Sequence, residues 1–280
     1  MQAGDGADES VPMVAGEPLA GGFNPDCRVV RVGDTVHRQR HCPEAVRRFL
    51  RYLEISQFDG APRYLGIDEQ GNEILSYIEG DVPLPIYPQW AMTSSALVSI
   101  GELLARFHQV SASYPSEETG WSPDRADPRG GHVVCHNDLF PENIVFRDGR
   151  AVAFIDFEMA APGHPLWDLA IAITEWAPLH APQVRYEYPD GLDAVSRAVT
   201  LACAYGISAR DVTKLVDTIF AARENALTRI RSEIDKGDPF WSAIWRSRGA
   251  EQATADDKWL GEVRGSLEAA LAAATRSAGS

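Results

Sequence analysis

The segment 133–146, VVCHNDLFPENIVF, limits what this chain can fold into more than any other stretch. An apolar run breaks into His136, Asn137 and Asp138, passes Asn143 and turns apolar again. Burying an amide and a carboxylate so close together without partners costs roughly 1 to 3 kcal/mol for the neutral group and more for the charge. A chain that keeps both between apolar strands has something to bind there. Ile144 to Phe146 and Ala151 to Ile155 read as two strands joined by Arg147, Asp148, Gly149 and Arg150, and Asp-Gly between apolar runs signals a hairpin turn. The hairpin brings its outer ends together. Asn143, just before the first strand, is then set near Asp156, just after the second, with Asp138 on the preceding loop.

Two carboxylates and an amide oxygen suit Mg²⁺, a hard cation that takes few protein groups and leaves positions for phosphate oxygens and water. With Asn143 and Asp156 on the cation, Asp138 is left to face a substrate hydroxyl as general base or orienting group. Phosphoryl transfer asks the protein mainly for positioning and charge neutralisation, so this small set suffices once a cation holds the nucleotide phosphates. Polar residues capping loops around a hairpin would explain any one of the three, but not their joint spacing.

HNDLFPEN, His136 to Asn143, followed by IDFE, Ile155 to Glu158, resembles the catalytic-loop Asp and Asn of the protein-kinase fold and its metal-binding Asp. With His-x-Asp in place of His-Arg-Asp, Glu158 in place of the Gly of Asp-Phe-Gly, and GHPLWDLA shortly after, the chain is similar to the aminoglycoside phosphotransferase family of small-molecule kinases. The resemblance runs from about residue 19 onward and is strongest over His136 to Ala170. It implies an α+β, two-lobed protein-kinase-like fold: a small β-rich nucleotide-binding N-lobe over 19–80 and a larger, mainly helical catalytic and substrate-binding C-lobe over 81–280. It also implies Asp138 as the catalytic Asp, Asn143 and Asp156 as Mg²⁺ ligands, Asp168 as a buried carboxylate steadying the catalytic loop, and His136 as its brace. Taken alone, an Asp before an apolar helix reads as an N-cap. The family docks adenine on the backbone of the segment linking the lobes, here LSYIEG, which places Ser76, Tyr77 and Ile78 at the nucleotide, ATP or GTP.

The N-terminal region departs from the kinase pattern. Lys214, Lys236 and Lys258 are the only lysines, so the strand Lys that usually holds nucleotide phosphates is missing. Arg38, in TVHR where kinases read Val-Ala-Ile-Lys, is the expected substitute, with Arg40 next on the same strand face and Glu44 or Glu54 as its partner from the following helix. An Arg fork binds phosphate, though with a geometry different from that of Lys. LAGGFNP lacks GxGxxG spacing, and Gly21 and Gly22 are the only candidates for a phosphate-covering loop.

The remaining pattern supports this division. VVRVGDTVHRQR alternates around Gly33 and Asp34 as a hairpin, Val46, Phe49, Leu50 and Leu53 make one helix face after Pro43, and a second hairpin turns at Glu69 to Asn72. Leu97, Ile100, Leu104 and Phe107 form a long amphipathic helix, on which His108 reads as a surface or packing residue. Ser208 to Asp211 resembles a capping box, and Trp241, Trp245 and Trp259 are expected between the C-terminal helices. His37, His41 and Cys42 read as a solvated strand end, and Glu158, His164 and Trp167 as loop or packing residues. The acidic, Gly-rich residues 1–18 read as a disordered lead-in without a secretory pattern.

A net charge of -14, from 26 basic and 40 acidic residues, argues against nucleic acid as a partner and tilts the hydroxylated small-molecule acceptor toward a cationic one, with Glu187, Asp190, Glu224 and Asp238 as candidate acidic groups. No apolar run reaches the length of a membrane span, and four cysteines without CxxC spacing suit reduced thiols and a cytoplasmic setting. Two other functions share these residues: a peptide Ser/Thr kinase in modified-peptide biosynthesis, and a nucleotide-binding pseudoenzyme acting as an immunity or scaffold protein.

Overall fold

A computed structural model describes residues 14–19, 29–39, 42–116, 120–121 and 126–277. The N-terminal part is an antiparallel five-stranded sheet in the order β1 (Glu17–Pro18), β2 (Val29–Val32), β3 (Thr35–Arg38), β5 (Glu73–Ser76), β4 (Tyr64–Ile67). The β2–β3 hairpin turns at Gly33, whose φ of +60° explains the glycine. β1 lies at the end of the segment expected to be a lead-in: Glu17 pairs with Arg31 and Pro18 with Val30 at the sheet edge. Gly21, Gly22 and Arg40 fall outside the described residues.

Helix α1 (Glu44–Ile55) buries Val46, Phe49, Leu50 and Leu53, the expected face, together with Ala45. Phe49 meets Phe107, Tyr114 and Trp121 edge-on, at ring centroids 5.1 to 6.1 Å apart, so α1 shares one core with the next helix. Burying one such side chain is worth roughly 1.5 to 3 kcal/mol.

The chain then crosses to the larger, mainly helical part. Asp81 binds it to the strand that follows the His136–Asn143 loop: the amide of Asp81 donates to Phe146 O and that of Phe146 to Asp81 O, both at 2.8 Å. Helix α2 (Ser94–Ser111) starts at Thr93, whose hydroxyl accepts from the Ala96 amide at 3.2 Å, and buries Leu97, Ile100, Leu104 and Phe107. At Gly101 an added Cβ would lie 2.8 Å from Leu201 O, which lets α4 (Ala194–Tyr205) approach α2 closely. Short strands follow: β6 (Val133–Cys135), the hairpin β7 (Ile144–Arg147) and β8 (Arg150–Phe154) turning at Asp148 and Gly149, and β9 (Ala161–Gly163), which pairs with β6.

Helix α3 (Pro165–Trp176) packs on α5 (Val212–Asp235), and α6 (Pro239–Ile244) leads through a π-helical turn to α7 (Ala250–Ser277). Trp259 packs against the core, while Trp241 and Trp245 lie under Arg229 and Arg231 of α5 at 5.9 Å. Ser208 does not complete a capping box: its hydroxyl donates to Asp211 Oδ2 at 2.6 Å, and α5 begins without a side-chain cap. No helix among the described residues is long and apolar enough to cross a membrane.

Candidate active site

The base of the β7–β8 hairpin gathers the expected residues. The Ile155 amide donates to Asn143 O at 2.9 Å, which ties the two strand ends together. Asn143 closes a short 3₁₀ turn and sends Nδ2 to Asp138 twice, to the backbone O at 2.9 Å and to Oδ2 at 2.8 Å. With its nitrogen committed, the amide's Oδ1 is the atom left to serve as a ligand. Asp156 leaves β8 in the left-handed region at φ +61°, a conformation costing a non-glycine residue on the order of 1 kcal/mol.

The loop before Asp138 is fastened from below. Asp168 is fully buried and sits inside α3, whose N-cap is His164, so it is not the cap that its sequence position suggests. Its Oδ2 accepts the His136 amide at 2.6 Å and its Oδ1 the Asn137 amide at 2.7 Å. Asn137 is itself left-handed at φ +64°, and its Nδ2 donates to Met159 O at 3.0 Å. His136 donates Nε2–H to Ile155 O at 3.0 Å and packs against Phe157. Burial lowers its pKa, against the pull of Asp168 and Asp156, so the ring stays neutral and acts as a brace.

His108 belongs to this support; of its two expected roles, surface and packing, it takes the packed one. It is 5% exposed, with Nε2 3.1 Å from Asp168 Oδ2 and Nδ1 2.9 Å from the Tyr205 hydroxyl. It follows Leu104 by four residues on the buried face of α2, and that period is the signal that would have found it. His108, Cys135 and Asp168 offer ligand-type atoms within 4.8 Å of one another. Burial, with Asp168 and Asp127 adding to it, pushes the Cys135 thiol well up, so this trio is a neutral thiol beside a hydrogen-bonded pair.

Arg38 is where the sequence reading needs most correction. Its Nη1 donates to Asp156 Oδ1 at 3.0 Å, which joins the N-terminal sheet to the hairpin base. Its partner is neither Glu44, which pairs with Arg47 and Arg48, nor Glu54, which pairs with Arg63. The partner is Glu73, directly opposite on β5, whose Oε2 accepts Arg38 Nε–H at 2.6 Å. Arg38 Nη2 donates to Cys42 Sγ, so Cys42, 2% exposed, is no solvated strand end. His37 is equally inside, with Nδ1 2.9 Å from Asp68 Oδ2.

Burial pushes the Cys42 thiol up to about 12, with Arg38 pulling the other way, so it is a neutral acceptor at physiological pH. Burial also works against the Arg38 charge. The Asp156 and Glu73 carboxylates hold it cationic, and its pKa is raised.

At the expected nucleotide-docking segment, the Ser76 amide donates to Arg63 O at 2.9 Å and the Tyr77 amide to Asp34 O at 2.8 Å. Arg31 lies 3.7 Å over the Tyr77 ring. Ser76 and Ile78 also line an open recess with Glu54, Phe58 and Arg63 that Arg38, Asp138 and Asp156 do not line.

On the C-terminal side, Glu142 accepts the Tyr87 hydroxyl at 3.0 Å and Glu175 that of Tyr188 at 3.4 Å, with the two rings 4.9 Å apart. Burial lifts the Glu175 carboxyl to about 7, with His180 opposing and Glu142 adding to the rise. Among the carboxylates expected to acidify the acceptor side, Glu187 pairs with Arg248 at 2.8 Å beside this group, while Asp238 caps α6.

Residues 116–200 match the model of the phosphotransferase enzyme family. The chain is 33% identical over 260 residues to a trifolitoxin immunity protein of Rhizobium leguminosarum bv. trifolii, covering 87% of this chain and 95% of that one. A choline/ethanolamine kinase family protein from Mesorhizobium loti superposes with a TM-score of 0.59 at 17% identity, over 91% of this chain and 92% of that one. The GDP complex of aminoglycoside 2'-phosphotransferase-IIIa gives a TM-score of 0.52 at 16% identity, over 92% and 94%.

Proposed function

This chain belongs to the phosphotransferase enzyme family that contains the aminoglycoside phosphotransferases, and we propose that it moves the γ-phosphoryl of ATP or GTP to a hydroxyl of a small molecule. One observation carries the reading: Asp138, Asn143 and Asp156 share the base of one hairpin, with the Arg38 guanidinium 3.0 Å from Asp156. The GDP-bound relative of the same fold supports a nucleotide co-substrate.

The donor set fits Mg²⁺: a carboxylate on Asp156 and an amide oxygen on Asn143, both hard, with the Asn143 nitrogen turned away toward Asp138. Bound there, the ion would neutralise charge on the nucleotide phosphates. Arg38 grips those phosphates in place of the missing lysine, and Ser76, Tyr77 and Ile78 flank the base. Since the Ser76 and Tyr77 amides are committed within the sheet, the backbone contact to adenine or guanine falls to Ile78.

Asp138 accepts the proton of the acceptor hydroxyl at its carboxylate while that oxygen forms its bond to the γ-phosphorus. The bond from the γ-phosphorus to the β–γ bridging oxygen breaks, and the nucleoside diphosphate leaves with that oxygen. His136 and Asp168 hold the loop from which Asp138 acts. We place the acceptor beside Glu142, Glu175 and Glu187, of which the first two are held by the Tyr87 and Tyr188 hydroxyls, and the net charge of -14 favours a cationic one.

The relative is named an immunity protein, which is compatible with a second reading, in which the chain binds nucleotide without transferring phosphate and serves in immunity. Mass spectrometry of reactions with Mg²⁺ and ATP or GTP separates the two. The acceptors offered are aminoglycosides, other hydroxylated antibiotics, nucleosides and Ser/Thr peptides, with Asp138→Ala as the control. A phosphate-sized mass gain on a small molecule, absent from the control, is the expected result. Nucleotide binding with no gain on any acceptor favours the second reading, and a gain on peptides alone would point to a peptide kinase.

A further inference from the structure

Glu73 is a fully buried carboxylate held from three directions. Oε2 accepts Arg38 Nε–H at 2.6 Å, Oε1 accepts the Cys42 amide at 3.3 Å, and Arg47 Nε of α1 approaches Oε1 to 3.3 Å. A carboxylate without water needs such partners, and removing one of a buried pair leaves an uncompensated charge. Its place is fixed by register: Arg38 of β3 faces Glu73 of β5 in the same ladder.

The three nitrogens of Arg38 divide the work. Nε is taken by Glu73, which sets the roll of the guanidinium plane, whereas Nη1 and Nη2 point to Asp156 and Cys42. A fork held by its Nε edge presents the opposite edge to an anion, and Nη1 already occupies the side of the hairpin base where a phosphate would lie. Helix α1 carries no glutamate to Arg38 and is tied to it by Arg47 acting through Glu73.

We propose that Glu73 is the positioning residue for the phosphate-gripping Arg38, and that Arg47 couples helix α1 to that grip through Glu73. The inference rests on the phosphotransferase reading, since it assigns Arg38 to nucleotide phosphates. With Asp156 on a cation, Nη1 would be free for a phosphate oxygen, and Glu73 would still hold Nε and so the plane of the fork. Arg38 and Arg47 face Glu73 and Asp156, two formal positive charges against two negative ones, before the nucleotide arrives.

The test is calorimetric titration of the full chain with ATP, GTP, adenosine and guanosine, with and without Mg²⁺, for the parent, Glu73→Gln, Arg47→Met and the control Glu102→Gln, which breaks only an exposed pair with Arg150. Glu73→Gln is expected to lose about tenfold or more of triphosphate affinity, the worth of one charge-assisted contact, while nucleoside affinity stays at the parent value. Arg47→Met, which leaves the Arg38–Glu73 contact in place, is expected to lose a smaller part, about threefold, and Glu102→Gln nothing. A role confined to stability would lower nucleoside and triphosphate binding together and leave their ratio at the parent value, which overturns the proposal.

If Glu73→Gln does not fold, Arg47→Met decides: an unchanged ratio overturns the coupling and the proposal with it. A parent chain that binds no nucleotide sinks the phosphotransferase reading itself. A parent that binds triphosphate more tightly than nucleoside, with the ratio unmoved in Glu73→Gln, sinks only the role of Glu73.

Discussion

Replacing Asp168 by asparagine tests how the loop carrying Asp138 is held. The carboxylate, itself fully buried, accepts the amides of His136 and Asn137 at 2.6 and 2.7 Å and lies 3.1 Å from His108 Nε2. Asparagine keeps the shape but offers one oxygen, so its NH₂ faces at least one of these donors. Hydrogen bonds to a charged group contribute about 1.5 to 3 kcal/mol each, and an opposed buried donor adds to the loss. We expect Asp168→Asn to cost about 3 to 5 kcal/mol, the range seen when one partner of a buried charged network is removed. At ~2 to 4 °C per kcal/mol for a domain of this size, the melting temperature falls by ~6 to 20 °C.

The assay is thermal unfolding of parent, Asp168→Asn, His108→Leu and the double variant. Because His108 and Asp168 are in contact, the double variant should cost less than the sum of the singles by ~1 to 3 kcal/mol. Near-parental melting of Asp168→Asn, or strict additivity with His108→Leu, would refute the reasoning that this carboxylate carries the loop.

Glu175→Gln should stabilise the protein more at pH 8 than at pH 5. The folded state lifts this carboxyl from 4.5 to about 7, so its folding penalty is absent below about 4.5, grows through the interval and is complete above about 7. As Glu175 keeps some solvent contact, we expect a difference of about 1 to 2 kcal/mol between the two pH values, read by urea unfolding, and no pH dependence would contradict the burial argument. Gly80→Ala should destabilise by about 2 kcal/mol or more, because Gly80 sits at φ +150° and the new Cβ would lie 2.3 Å from Phe146 O; chemical unfolding measures it. Thr93→Ala removes the side-chain cap of α2 and should cost about 1 kcal/mol in the same assay.

What the sequence made legible was local. Alternation and turn chemistry located the β2–β3, β4–β5 and β7–β8 hairpins, and the apolar period located α1 and α2, because each depends on neighbours a few residues apart. The base of the β7–β8 hairpin was readable for the same reason, since a hairpin joins its own ends. Glu73 was not readable as the partner of Arg38: the two are 35 residues apart and meet only through the β3–β5 register, which no local pattern encodes. Glu44 and Glu54 looked better by proximity in sequence, but α1 turns them toward other arginines.

Asp168 had two readings, and the one derived from an N-cap pattern failed because the helix starts four residues earlier at His164. The two-residue strand β1 left no trace in the pattern, since an edge pair containing Pro18 is too short to alternate. The contact of Glu142 with Tyr87 spans 55 residues of sequence, and that of Glu175 with Tyr188 spans 13 across the end of α3, so neither follows a local period.

The central claim is that Asp156 and Asn143 hold a cation against nucleotide phosphates gripped by Arg38. A crystal structure with Mn²⁺ and a non-hydrolysable nucleoside triphosphate, with the metal located by its anomalous scattering, tests it most directly. The account predicts a metal peak between Asp156 and Asn143 Oδ1, Arg38 Nη1 moved from Asp156 to a phosphate oxygen, and Arg38 Nε still on Glu73. A nucleotide bound with no metal at these residues, and Arg38 still paired with Asp156, would contradict it.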